Sequence, residues 1–88
     1  MNKEIVDKYD SISNEARNIF LNKNIDYGDS YKDYGVIGIL SRVNEKIKRG
    51  LNIEKNKITM VADENIRDTL LDLMNYAILG LIVLDEKI

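Results

Sequence analysis

The sequence predicts an all-α chain: a single helical domain over residues 1–88, folded as a three-helix, bundle-like subunit with a tyrosine-rich loop between helices one and two. Three observations carry this. Proline is absent, so nothing in the composition breaks a helix interior. Apolar residues recur at steps of three and four in three separate stretches, the period of a helix with one buried face. And 88 residues bury only a modest share of their unfolded surface, so the core should be thin and completed by oligomerisation.

The first helix is predicted from Lys3 to about Asn22, where Ile5, Tyr9, Ile12, Ala16, Ile19 and Phe20 form one stripe. Residues 23–35, KNIDYGDSYKDYG, combine turn formers with three tyrosines and show no helical period, which predicts a loop. Val36, Leu40, Val43 and Ile47, with Ile39 alongside, signal the second helix. Gly50 directly after Arg49 suits the position just past a helix C-terminus, and Lys46, Lys48 and Arg49 suit its dipole. The following LNIEKNKITMVA reads as a connection. Asp63 then offers an N-cap for a third helix running from Glu64 to about Glu86. Its apolar residues, Ile66, Leu70, Leu71, Leu73, Met74, Ala77, Ile78, Leu81 and Ile82, cover more than one narrow face. Such a helix is central to a bundle or part of a subunit contact.

Composition excludes several chemistries. Cysteine and histidine are both missing, which rules out disulfides, thiolate metal sites and a serine–histidine pair. Thirteen basic and fifteen acidic side chains are spread along the chain with a net charge of −2, a balance that argues against duplex nucleic acid as partner. The N-terminus carries charges every few residues and no apolar signal region. The longest apolar stretch, Leu70 to Leu84, is short for a membrane span and holds Asp72 and Asn75. A cytoplasmic protein without a membrane partner is expected.

Two charged edges are candidates for chemistry. Glu64, Asp68 and Asp72 follow one another at i, i+4 and i+8 of the third helix, and Asn75 is expected to continue that edge. Arg42, Lys46 and Arg49 form a basic edge on the second helix, with Glu45 beside it. Either the two edges pair as plain interhelical ion pairs, or the cations grip phosphate oxygens while the acids orient them or bind magnesium. Tyr27, Tyr31 and Tyr34 add flat faces on which a nucleobase could stack, or lids over the helices.

The spaced blocks Lys23-Asn24-x-Asp26-Tyr27-Gly28-Asp29, Gly38-Ile39, Arg42-x-x-Glu45-Lys46-x-x-Arg49 and Glu64-Asn65-Ile66-x-Asp68-Thr69-Leu70-x-Asp72-Leu73-x-Asn75-Tyr76-Ala77 resemble the nucleotide modification associated domain 1 family, found largely in phages and prophages. The likeness runs from about residue 20 to residue 80. It implies a role in nucleotide metabolism or DNA-base modification inside an infected bacterial host. It also implies that Lys23, Asp26, Tyr27, Gly28, Arg42, Lys46, Arg49, Glu64, Asp68 and Asp72 converge on one pocket. Glu45 stands where the family pattern has an aspartate. More loosely, the chain is similar to all-α nucleotide pyrophosphohydrolases of the MazG type, which bind magnesium through E-x-x-E and E-x-x-D. Here Arg42-x-x-Glu45 replaces E-x-x-E.

Three functions follow as expectations. The first is capture of a phosphorylated nucleotide, or a nucleotide-derived immune signal, without hydrolysis and with no cofactor; the immune signal rests on analogy with small phage proteins. Its ligand set would be Lys23, Asp26, Tyr27, Gly28, Tyr31, Tyr34, Arg42, Lys46, Arg49, Asp68, Asp72 and Asn75. The second is a Mg2+-dependent nucleoside triphosphate pyrophosphohydrolase using Glu45, Glu64, Asp68 and Asp72 as metal ligands. The third is an adaptor subunit whose apolar third helix packs on a larger enzyme.

Overall fold

The computed structural model describes residues 1–23, 31–56 and 60–86, and of residues 31–34 and 60–64 the backbone only. Three helices account for nearly all of it: α1 (Lys3–Asn22), α2 (Tyr31–Lys55) and α3 (Met60–Glu86). The all-α, bundle-like architecture expected from the apolar periodicity is the one observed.

Helix α1 has the predicted bounds. Its first turn is closed by Asn2, whose Oδ1 accepts the Ile5 N–H at 3.0 Å, satisfying one of the donors a helix start leaves without a partner. Helix α2 departs from expectation at both ends. Tyr31 and Tyr34 belong to its first turns rather than to a loop, and the change of direction falls at Gly35, with φ 62 and ψ −153. Only glycine occupies that region without strain. Asp26, Tyr27 and Gly28 lie outside the described residues.

Gly50 does not end α2. The helix continues to Lys55 and closes at Asn56, whose backbone N–H and side-chain amide both donate to the Asn52 carbonyl, at 3.2 and 2.8 Å. Gly50 faces α3 instead: a Cβ placed there would lie 3.6 Å from Thr69 Cγ2. The glycine serves close helix approach, not termination. Helix α3 likewise starts at Met60, so Asp63 sits inside its first turn rather than capping it.

Helices α2 and α3 run antiparallel. Gly50 lies against Thr69, Lys46 reaches Asp72, and Ile39 lies against Gly80, so residue numbers climb along one helix as they fall along the other. Between them Ile39, Leu79 and Val83 are buried, with Val36, Val43, Phe20 and Tyr76 packed around. Full burial of side chains of this size is worth about 1.5–3 kcal/mol each. Leu40 and Ile47, expected on the buried stripe of the second helix, are exposed, because the face turned to α3 runs through Val36, Ile39, Val43 and Gly50.

Helix α1 meets α3 at one close point. Ala16 is 1 % exposed, and its small side chain lets the backbones approach until Asn75 Nδ2 donates to the Ala16 carbonyl at 3.0 Å. Farther along, Arg67 of α3 makes a two-pronged ion pair with Glu15, Nη1 to Oε1 and Nη2 to Oε2, each at 2.6 Å. Of the predicted α1 stripe only Ala16 is buried; Ile5, Tyr9 and Ile12 are exposed, because α3 covers the C-terminal half of the stripe and nothing described covers the rest.

Candidate functional site

The two charged edges predicted from spacing meet at Asp72. In the antiparallel register of α2 and α3, Lys46 comes opposite it, with Nζ 3.5 Å from Oδ2. Lys23, the C-cap residue of α1, approaches from the other side, with Nζ 4.0 Å from Oδ1. Three helices thus converge on a carboxylate whose side chain is only 19 % exposed. One turn back along α2, Arg42 lies 3.7 Å from Glu45, both well exposed.

Tyr76 completes the cluster. It follows Asp72 by four residues and so stays on nearly the same line of the helix. Its half-buried ring packs against the Ile39–Leu79–Val83 core. Burial pushes its phenol above the ordinary value; Arg42 nearby pulls the other way, while the Asp72 and Glu45 carboxylates reinforce the rise. Tyr76 was absent from the predicted ligand set, although the 64–68–72 spacing extends to it directly. Asn75, placed on that edge by sequence, is instead turned toward α1, where it holds the Ala16 carbonyl and is 1 % exposed. Three residues turn a helix 60° short of a full revolution and four turn it 40° beyond. That difference separates the two side chains.

Other predicted members stand apart. Arg49 and Asp68 are exposed. The side chains of Tyr31, Tyr34 and Glu64, like residues 26–28, lie outside the described residues. Among the described residues no three acidic side chains gather closely enough to hold a metal ion. No described helix is long and apolar enough to cross a membrane.

This arrangement, a carboxylate flanked by two ammonium groups with a guanidinium and a phenol one turn away, lies wholly within a stretch that a family model recognises. The model for nucleotide modification associated domain 1 matches residues 23–84. The chain belongs to that family. The family's description associates it with nucleotide modification, and Lys23, Arg42, Lys46, Asp72 and Tyr76 all fall inside the matched segment. No curated protein and no solved structure matches the chain.

Proposed function

We propose that this protein binds a phosphorylated nucleotide, or a nucleotide-derived signal, at the face formed by Lys23, Arg42, Lys46, Asp72 and Tyr76, and releases it unchanged. The single observation that carries this reading is that one carboxylate, Asp72, is shared by two lysines from different helices at 4.0 and 3.5 Å. One negative charge does not neutralise two positive ones. The surplus, which the Arg42–Glu45 pair beside it leaves unchanged, favours an anionic guest with several oxygens, and phosphate is the form in which a nucleotide offers them. Lysine donates from a flexible stem and can swing from Asp72 to such a guest without rebuilding the helix. The Tyr76 phenol adds a hydroxyl at the edge of the cluster, and the family association with nucleotide modification points to the same ligand class.

Binding without turnover is supported by the company the acids keep. Asp72 faces ammonium groups, and Glu45 faces Arg42. A divalent ion bound at these two acids would have to displace a cation from each.

The test is to incubate the purified protein with nucleoside mono-, di- and triphosphates and cyclic dinucleotides, measure binding by calorimetry, then heat it and identify what is released. Intact ligand is expected. Lys46→Met should weaken affinity about 10–100-fold, the loss of one charge-assisted contact of about 1.5–3 kcal/mol. Absence of binding across the panel overturns the reading, and release of phosphate or pyrophosphate with magnesium replaces it with the hydrolytic one.

A further inference from the structure

The chain exposes more surface than a folded protein of its mass should. Its accessible area is 6962 Å² for 10.1 kDa, whereas a compact monomer of that mass exposes about 5,300 Å². Its radius of gyration, 14.6 Å, exceeds the roughly 12 Å of a compact domain of this length. The excess, roughly 1,700 Å², is about twice what each partner contributes to a standard protein interface, about 800 Å².

Among the described residues, part of the exposed surface is apolar and ordered into a face. Ile5, Val6, Tyr9 and Ile12 are all exposed on the N-terminal half of α1, Tyr9 by 69 %. The helix nevertheless runs unbroken from Lys3. A half-helix with no tertiary cover is marginal in water. Beside it, α1 and α3 enclose an open groove of about 520 Å³ walled by Tyr9, Ala16, Phe20, Met74 and Ile78.

We propose that this groove and the exposed face of α1 form the contact with a second copy of this chain, the two α1 helices crossing antiparallel about a two-fold axis. The fit is self-complementary. One helix supplies both the projecting side chains, Ile5 and Ile12, and one wall of the groove that would receive them, the requirement of an isologous interface. The proposal does not depend on what the Asp72 cluster binds.

Light scattering or native mass spectrometry of the full chain tests it. A mass of two copies or a multiple of two is expected, and a single-copy mass at 100 µM, on the order of the highest concentration such measurements need, overturns the proposal. Ile5→Asp combined with Ile12→Asp changes only exposed positions and should halve the mass at unchanged helical circular dichroism; an unaltered mass overturns the placement. Should that variant unfold, Ser13→Cys serves instead, since the chain has no cysteine of its own and Ser13 lines the groove near the expected axis. Oxidation should yield a covalent dimer in high proportion, and failure to cross-link within an intact oligomer overturns the α1 crossing.

Discussion

The α2–α3 hairpin and helix α1 are built from similar material and held by different forces. Both present apolar residues at helical spacing, but the hairpin lays two such faces along each other and buries Ile39, Leu79 and Val83. Helix α1 packs one large apolar side chain, Phe20, on that core and is otherwise tied to α3 through polar groups: the Asn75 amide on the Ala16 carbonyl, Arg67 on Glu15, and Lys23 on Asp72. An amphipathic stripe therefore announces that a helix will be covered without saying by what. In the hairpin the cover is the neighbouring helix; over the first half of α1 it is not part of the described chain.

The sharpest way to break the contrast is at the centre of the hairpin. Leu79 is 2 % exposed, and Leu79→Ala should cost about 2–5 kcal/mol, as large-to-small core changes do. In a core this small that is enough to unfold the chain, read as loss of the cooperative thermal transition. A drop confined to α1 would place the stability in the wrong half. Asn75→Ala is expected to cost less, about 1–3 kcal/mol for a buried hydrogen-bonding group, and to act selectively. Hydrogen exchange should speed up along α1 while the amides of α2 and α3 near Ile39 and Leu79 keep their protection. Gly50→Ala should work in the opposite direction. The new methyl group meets Thr69 Cγ2 at ordinary contact distance, 3.6 Å, and a glycine in a helix interior gives up about 0.5–1 kcal/mol relative to alanine. The melting temperature should rise, with no change in exchange along α1.

The same contrast explains what could be read from sequence. The bounds of α1 and the end of α3 were legible because each is marked by local chemistry: the start and finish of one apolar period for α1, and the end of the apolar run at Asp85–Glu86 for α3. The end of α2 was not, because a glycine at a helix end and a glycine at a helix crossing look alike in one dimension; only the proximity of Thr69 separates them. The two charged edges were legible from i, i+4 spacing, but spacing left open whether they pair with each other or grip a guest; the antiparallel register is what brings Lys46 to Asp72. Which of Asn75 and Tyr76 would share the edge depends on about 100° of helix rotation and on where α1 crosses, and the crossing is fixed by the smallness of Ala16.

The smallest expected effect concerns the outer tether of α1. The two hydrogen bonds from Arg67 hold the Glu15 carboxyl below its ordinary value; partial desolvation opposes them, and the guanidinium charge adds to the lowering. The same contact raises Arg67. Because the folded-state carboxyl is the more acidic one, its contribution is complete above the ordinary carboxylate range and is lost as the pH falls through the lowered folded value. Both side chains face solvent, so salt screens the attraction. A carboxyl-detected titration should give Glu15 a lower midpoint in the native chain than in Arg67→Gln, the difference shrinking at 1 M NaCl, where the screening length is about 3 Å. Exchange along α1 should quicken over the same acidic interval, while the apolar hairpin, whose core holds no carboxylate, stays protected. Identical midpoints in the two proteins would mean that Arg67 does not hold Glu15, leaving the Ala16–Asn75 crossing and Lys23 to fix α1.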